Sequence, residues 1–190
     1  MTPAAGVLCG GQSRRMGTDK AFVEVGGVAM VVRVATALAA AGCAPVLLVG
    51  GDGPLLARTG LPTVADRWPG AGPAGGVLTA LGATTADVVV IASCDLPLLE
   101  ADVVRAVVDA LAADAHLGVA VATTDRPQLS LTAWRRAVVA DPLRMHWDAG
   151  ARALHELVAA VPSAAVEVPA AALRNVNTPD QLSAAEADAR

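Results

Sequence analysis

Short apolar runs of strand length alternate along this chain with longer alanine-rich runs whose apolar residues recur at helical spacing. The short runs predict β-strands over residues 5–9, 45–49, 87–92, 118–123 and 164–168. The longer runs predict helices over residues 30–41, 75–83, 100–113, 149–161 and 179–187. Thr178 followed by Pro179 is typical of a helix N-terminus.

The predicted strands are almost continuously apolar, which is typical of parallel strands whose sheet is covered by helices on both faces. We therefore expect an α/β protein with a mostly parallel, Rossmann-like sheet and a single domain over residues 1–190. In such sheets ligands bind beyond the carboxyl ends of the strands. The segments after Cys9, Val64 and Ala92 each begin at such an end, so we expect their side chains to share one edge.

The composition argues against nucleic acid and membranes as partners. The net charge is −4, which gives no general attraction to nucleic acid or to an anionic membrane. The chain has one Phe and no Tyr, too few aromatic rings to stack the bases of a polymer. The long uncharged stretch over 34–51 contains Gly42 and Pro45, and it suits a helix turning into a buried strand better than a membrane span.

The three cysteines, Cys9, Cys43 and Cys94, are odd in number and widely spaced. Without a C-x-x-C pair they indicate neither a disulfide framework nor a zinc site, and they fit a reducing cytoplasm. No secretory signal is predicted, because the N-terminus lacks a basic region and its apolar segment is short.

The segment from Leu8 to Lys20 follows the first predicted strand and joins a pair of glycines to three cations. Gly10 and Gly11 allow backbone N–H groups to approach an anion closely, and the cations Arg14, Arg15 and Lys20 can neutralise its charge. The spacing differs from G-x4-G-K-[ST] and from G-x-G-x-x-G, which excludes a Walker loop and a dinucleotide fingerprint. We interpret the segment as a loop that holds a triphosphate.

Two aspartates follow predicted extended segments. Asp95 emerges from the buried run over 88–92 and precedes Pro97; it is either a turn-forming residue or a Mg²⁺ ligand opposite the phosphate loop. Asp66 follows a short extended segment over 61–64 and is either a solvated partner of Arg67 or a nucleotide contact. The proline- and glycine-dense turn through Gly76 can bring backbone groups close to a base.

The motifs L-C-G-G-Q-S-R-R-M-G-T-D-K (8–20), D-R-W-P-G (66–70), G-P-A-G-G (72–76), C-D-L-P (94–97) and N-V-N-T-P (175–179) occur in this order. Together they resemble the molybdenum cofactor guanylyltransferases and their relatives among the MobA-like nucleotidyltransferases, over nearly the whole chain. The first motif departs from the family pattern only by Cys9 in an alanine position. The resemblance implies a nucleotide-diphospho-sugar transferase-like fold.

The resemblance also implies an activity and a set of site residues. We expect GMP transfer from GTP to the phosphate of molybdenum-carrying molybdopterin, with release of pyrophosphate and with Mg²⁺ as cofactor. Asp95 is the expected metal ligand, Arg15, Lys20 and Asp95 are the expected catalytic residues, and Asn175 and Asn177 are expected on the acceptor side. The candidate nucleotide-binding residues are Leu8, Cys9, Gly10, Gly11, Arg14, Lys20, Asp52, Asp66, Gly75 and Asp95. Transient contacts with cofactor-synthesis and acceptor proteins are expected, and contacts with nucleic acid or membrane are not.

The base and the acceptor stay open at this stage. Guanine-specific relatives often carry an asparagine after the second strand, where this chain has Val49-Gly50-Gly51-Asp52. The Asp52 carboxylate can accept from the guanine N1–H and amino group, so GTP fits without an asparagine. Cytidylyl transfer, nucleotidyl transfer to another small phosphorylated acceptor, and a non-catalytic nucleotide sensor are the alternatives.

Overall fold

The architecture is taken from a computed structural model, which describes residues 2–10 and 19–188. Seven strands form the central sheet in the order β5-β4-β1-β6-β8-β7-β9. Their bounds are β1 Ala4–Leu8, β4 Val46–Val49, β5 Thr63–Val64, β6 Val88–Ser93, β7 Val119–Thr123, β8 Pro127–Arg135 and β9 Ser163–Glu167. A separate hairpin consists of β2 Glu24–Val25 and β3 Val28–Ala29.

The sheet is parallel except around β8. Strand β1 pairs in parallel with β4 and with β6, and the last pair of the second ladder is Leu8 with Ser93. Strand β8 runs antiparallel between β6 and β7, with Ala92 opposite Leu131. The carboxyl ends of β1, β4 and β6 therefore meet at one edge, where the chain continues into the loops that carry the candidate site residues.

Seven α-helices and two 3-10 helices lie in the described part of the chain. The α-helices are α1 Met30–Ala40, α2 Gly53–Ala57, α3 Gly72–Gly82, α4 Ala101–Ala113, α5 Arg136–Asp148, α6 Leu154–Ala159 and α7 Pro179–Asp188; the 3-10 helices are Lys20–Phe22 and Ala170–Leu173. Thr178 caps α7, since its hydroxyl accepts from the Gln181 N–H (3.3 Å), so the predicted N-terminus is confirmed.

Each face of the sheet is covered by helices. On one face α1 and α4 bury side chains such as Leu38 and Val107, and on the other α3, α5 and α6 bury Val77, Leu143 and Leu157. Removing each such side chain from water contributes about 1.5–3 kcal/mol to folding. The two apolar layers hold the strands in place and fix the edge from which the site residues project.

The predicted α/β class and the mostly parallel sheet are confirmed, and all five predicted strands lie within about one residue of observed ones. The sequence does not predict strands β2, β3 and β8 or helices α2 and α5, and the helix predicted over 149–161 is shorter, Leu154–Ala159. The turn expected through Gly76 is wrong in part, because α3 already begins at Gly72.

The uncharged stretch over 34–51 forms the end of α1, a turn and the buried strand β4, as expected. Across residues 2–10 and 19–188, no helix has both the length and the hydropathy that crossing a bilayer requires.

Candidate active site

Three side chains from distant parts of the chain meet at the carboxyl edge of the sheet. The Lys20 ammonium donates to Asp95 Oδ2 at 2.5 Å and also to Asn177 Oδ1. The Lys20 and Asp95 side chains keep only 12% and 15% of their exposure, so water screens their charges incompletely. This cluster, defined as Lys20, Asp95 and Asn177, combines a cation with two oxygen ligands.

Local structure brings each member of the cluster to that edge. Lys20 begins a 3-10 helix that Asp19 caps, because the Asp19 carboxylate accepts from the Ala21 N–H at 3.0 Å. Asp95 lies two residues beyond the end of β6. The Val176 N–H donates to the Asp95 carbonyl at 3.1 Å, and this bond holds the segment that carries Asn177 against the turn after β6.

Arg33 of α1 anchors the turn after β6. Its Nε donates to the Pro97 carbonyl at 2.8 Å and its guanidinium also donates to the Val25 carbonyl at 3.2 Å. Arg33 therefore ties the residues that follow Asp95 to the β2 strand. A charged donor to a carbonyl is stronger than a neutral one, which suits a contact that must fix a loop.

The oxygen atoms of the cluster fit a hard divalent cation. Asp95 Oδ1 is buried and has no hydrogen-bond donor among the described residues, and the same holds for Oδ1 of Asn175, which precedes Asn177 by two residues. An unpaired buried carboxylate oxygen is costly unless a cation or a donor reaches it. Within residues 2–10 and 19–188, no group of three His, Cys, Asp or Glu side chains forms a closed metal cage. The donor set thus suits Mg²⁺, which is held by few protein oxygens and takes the rest from water and phosphate.

Asp66 forms a second polar centre, beside the ends of β1 and β4. Its Oδ1 accepts from the Trp68 N–H (2.9 Å) and from the Thr79 hydroxyl (3.1 Å). The position that a Cβ at Gly50 would take lies 3.7 Å from Asp66 Cβ and 3.4 Å from Gly10 Cα. Asp66, Gly10 and Gly50 therefore meet, as the predicted sharing of one edge requires.

An aromatic pair anchors the turn after Asp66. The Trp68 and Trp147 ring centroids are 5.1 Å apart with planes tilted by 59°, and the Arg152 guanidinium lies 4.1 Å from the Trp147 centroid. Tilted aromatic pairs are favourable by about 0.5–1.5 kcal/mol beyond their buried area. The stack connects the Asp66 turn to the end of α5.

Asp52 and Gly75 have structural roles. The Asp52 carboxylate caps α2 by accepting from the Leu55 N–H at 3.0 Å, so one of its oxygens is occupied by the backbone. Gly75 lies inside α3, where a Cβ would come within 3.3 Å of Trp68 Cβ and the Trp68 carbonyl. The idea that a loop over 72–76 wraps around the base is wrong, because these residues form the first turn and a half of a helix.

Leu8 and Cys9 use their backbone groups within the sheet. The Cys9 N–H donates to the Val49 carbonyl at 2.9 Å, and the Leu8 carbonyl accepts from the Cys94 N–H at 3.1 Å. The neighbouring Cys94 thiol and burial raise the pKa of the Cys9 thiol far above its usual range. Gly10 is the first residue of the loop with an exposed backbone. Gly11, Arg14 and Arg15 lie outside the described residues.

Sequence reasoning missed Thr79 and Arg33. Thr79 is fully buried, and its hydroxyl contacts Asp66. A lone hydroxyl within the apolar run Val77-Leu78-Thr79-Ala80-Leu81 was the available signal, since a buried polar group needs a partner. Arg33 stands alone in the apolar helix α1, which is a comparable signal.

Comparison with known proteins shows related sequences. The family model described as "MobA-like NTP transferase domain" matches residues 5–166. The probable molybdenum cofactor guanylyltransferase of Chloroflexus aggregans is 32% identical over 196 residues, covering 95% of this chain and 92% of the relative. The molybdenum cofactor guanylyltransferase of Shewanella baltica is 30% identical over 187 residues, covering 92% and 91%. The match to the probable enzyme of Carboxydothermus hydrogenoformans spans about half of that relative, 49%, at 37% identity.

Solved structures share the fold at lower identity. Molybdopterin-guanine dinucleotide biosynthesis protein A from Archaeoglobus fulgidus superposes with a TM-score of 0.81 at 22% identity, covering 98% of both chains. The 2-C-methyl-D-erythritol 4-phosphate cytidylyltransferase of Thermus thermophilus has a TM-score of 0.76 at 22% identity, covering 100% of both. The same fold therefore serves relatives named for guanine and for cytosine nucleotides. The family model, which spans most of the sequence, and the relative from Chloroflexus aggregans together show that the chain belongs to the MobA-like NTP transferase family.

Proposed function

We propose that this protein transfers GMP from GTP to the phosphate of molybdopterin that carries molybdenum, releasing pyrophosphate and giving the guanine dinucleotide cofactor. The observation that carries the proposal is the meeting of Lys20, Asp95 and Asn177 at the carboxyl edge of the sheet, the edge that also carries Gly10 and Asp66. The names of the relatives from Chloroflexus and Shewanella support the nucleotide and the acceptor.

The proposed reaction requires the acceptor phosphate to be aligned with the triphosphate and requires positive charge near the phosphate oxygens. The acceptor phosphate is already an anionic nucleophile, so no general base is needed and the task is to align it with the departing pyrophosphate. Lys20 offsets the charge that develops on the phosphate oxygens, with Arg14 and Arg15 of the same loop as further cations. Gly10 brings its backbone close to the triphosphate.

Asp95 and Asn177 would hold Mg²⁺, and the bound ion supplies further positive charge to the phosphate oxygens. In the structure the Lys20 ammonium donates to Asp95 Oδ2 and to Asn177 Oδ1, and Asp95 Oδ1 has no donor among the described residues. Lys20 contacts Oδ2 of Asp95, so Oδ1 would be the oxygen left to hold the cation, while the ammonium beside it would supply charge for the triphosphate. On this proposal the Lys20–Asp95 ion pair places an ammonium directly beside the carboxylate that would hold the cation.

A second candidate is cytidylyl transfer to the same class of acceptor. It is favoured by the capping role of Asp52, because the carboxylate oxygen that accepts from the Leu55 N–H is less available to accept from a guanine. A nucleotide sensor without turnover is disfavoured, since a sensor does not need Lys20 and Asp95 together. A cytoplasmic site of action is part of the proposal and rests on the three free, buried cysteines.

The proposal is tested by measuring pyrophosphate release with each of the four nucleoside triphosphates, with and without molybdopterin, in the presence of Mg²⁺. We expect release with GTP that depends on molybdopterin. Release with CTP in preference to GTP would replace guanylyl by cytidylyl transfer. Nucleotide binding without release from any triphosphate would support the sensor.

A further inference from the structure

In the described part of the chain only two polar residues are fully buried. They are Thr79 of α3 and Thr132 of β8, and both are 0% exposed. A buried hydroxyl must be paired, so its partners show what it holds in place. Thr132 accepts from the indole N–H of Trp134 at 2.7 Å, a contact within the core. Thr79 contacts the Asp66 turn instead, at the edge of the sheet that carries the candidate site.

The Thr79 hydroxyl is the centre of a small network. It accepts from the Arg67 N–H at 3.1 Å and lies 3.1 Å from Asp66 Oδ1 and 2.9 Å from the Gly75 carbonyl. A hydroxyl has one proton, so it donates to one of these two oxygens at a time. The Gly75 carbonyl lies inside α3 and accepts from the helix backbone, whereas the Asp66 carboxylate is charged and is the stronger acceptor.

All donors that reach Asp66 from the described residues converge on Oδ1. The Trp68 N–H adds a bond of 2.9 Å to the same oxygen. Two donors on one oxygen fix the plane of the carboxylate and leave Oδ2 for another partner. Gly50 also approaches this residue, since a Cβ at Gly50 would lie 3.7 Å from Asp66 Cβ, and Asp66 is half-buried at the edge of the sheet where the nucleotide is proposed to bind.

We propose that Thr79 is a positioning residue that orients Asp66 toward the ribose or base of the bound nucleotide. The inference deepens the proposed function and rests on it. The Thr79 hydroxyl does not touch the nucleotide; it fixes the carboxylate that does, from a buried helix position that leaves it little freedom. Nucleotide affinity therefore depends on a hydroxyl that is closed off from solvent.

The test uses the full-length protein and two substitutions at one position. Thr79→Val keeps the shape of the side chain and removes the hydroxyl, while Thr79→Ser keeps the hydroxyl. Thr132→Val is the matched control, because it removes the other fully buried hydroxyl at a site whose partner is a core indole. Calorimetry with Mg²⁺ and GTP, and in parallel with Mg²⁺ and CTP, gives the Kd of each variant, and thermal melting reports its stability.

We expect Thr79→Val to raise the Kd of the preferred nucleotide about tenfold, as the loss of a hydrogen bond to a charged group does. Thr79→Ser should stay within about twofold of the unmodified protein, and Thr132→Val should lower the melting temperature without raising the Kd. In an Asp66→Asn background the further change Thr79→Val should alter the Kd by less than about twofold, because the two residues act as one unit.

Several results would overturn the inference while leaving the proposed function standing. These are an unchanged Kd in folded Thr79→Val, an equal loss of affinity in the presence and absence of Asp66, or an unchanged Kd in Asp66→Asn. If Thr79→Val does not fold, the Kd of Thr79→Ser decides. Serine keeps the hydroxyl donor, so a raised Kd in Thr79→Ser would also overturn the inference. A folded, unmodified protein that binds no triphosphate would overturn both the inference and the proposed function.

Discussion

The two polar centres at the sheet edge are built in opposite ways. In the Lys20, Asp95 and Asn177 cluster the hydrogen bonds join residues 75 and 157 positions apart, and one Asp95 oxygen has no donor among the described residues. Around Asp66 the bonds join residues 2 and 13 positions apart, and both go to one oxygen. The first centre has an oxygen left for a further partner, whereas the second is fixed by its own turn and the adjacent helix.

This difference assigns the two centres different tasks. A carboxylate with an oxygen to which no described residue donates, and with an ammonium beside it, is suited to a step in which charge develops. A carboxylate fixed by a buried hydroxyl and a turn N–H is suited to recognition, because little ordering remains to be done on binding. We therefore expect substitutions in the cluster to change kcat and substitutions around Asp66 to change affinity.

The largest expected effect follows from Asp95→Asn. The substitution keeps the size of the side chain and removes the charge that holds the cation, so kcat should fall about a thousandfold while the protein stays folded. Pyrophosphate release and thermal melting measure the two properties. Asp102→Asn is a matched control, because that carboxylate is exposed on α4 and its one ion-pair partner among the described residues is Arg105. Near-normal turnover by folded Asp95→Asn would remove Asp95 from the metal role.

Lys20→Ala should have the next largest effect. Removing a cation that stabilises developing charge costs about 2–4 kcal/mol, or roughly a hundredfold or more in kcat, with a smaller change in the KM for the triphosphate. Steady-state kinetics over a range of triphosphate concentrations separates the two parameters. A raised KM with unchanged kcat would mean that Lys20 binds the ground state and the transition state equally, and the contrast between the two centres would then fail.

Asn177→Ala sharpens the comparison at the exposed end of the cluster. We expect kcat to fall about tenfold at fixed Mg²⁺ and to recover in part at higher Mg²⁺, because a neutral oxygen ligand contributes less than a carboxylate. A Mg²⁺ titration of the pyrophosphate rate is the measurement. If added Mg²⁺ does not restore kcat, Asn177 acts only by accepting the hydrogen bond from Lys20 and does not contact the metal.

Asp52→Ser gives the smallest expected effect. Serine is also a good N-cap, so the α2 cap survives and stability should change by less than about 0.5 kcal/mol. If Asp52 only caps α2, the preference between GTP and CTP stays the same in competition calorimetry. A shift of that preference toward CTP would instead show that the free Asp52 oxygen reads guanine.

The sequence predicted the parallel part of the sheet because β1, β4 and β6 are apolar on both faces and end at glycine or at turn residues. It did not predict β8, which begins at Pro127 and mixes Ser130 and Thr132 into its apolar residues. The sequence pattern does not show that β8 inserts between β6 and β7, since pairing is decided by long-range packing. Helix α5 was missed for a local reason: Pro142 and several charges weaken its helical pattern.

The candidate site was predictable to the extent that its residues lie in motifs. The expectation that the loops after the first and third predicted strands share an edge is consistent with the Lys20–Asp95 contact. The Thr79–Asp66 contact was not expected, because Thr79 lies on the buried face of a helix and belongs to none of the sequence motifs. The assigned roles of the site residues remain predictions that the substitutions above test.

The hydrogen bond from the Val176 N–H to the Asp95 carbonyl has a consequence for the order in which a newly made chain gains its function. During synthesis Lys20, Asp66 and Asp95 leave the ribosome long before Asn177 does. The family match ends at residue 166, so the segment that brings Asn177 to Lys20 lies beyond it. A nascent chain that has already folded its sheet therefore lacks one of the three cluster residues, and we expect the centre to be completed only when residues 175–177 dock against the turn after β6.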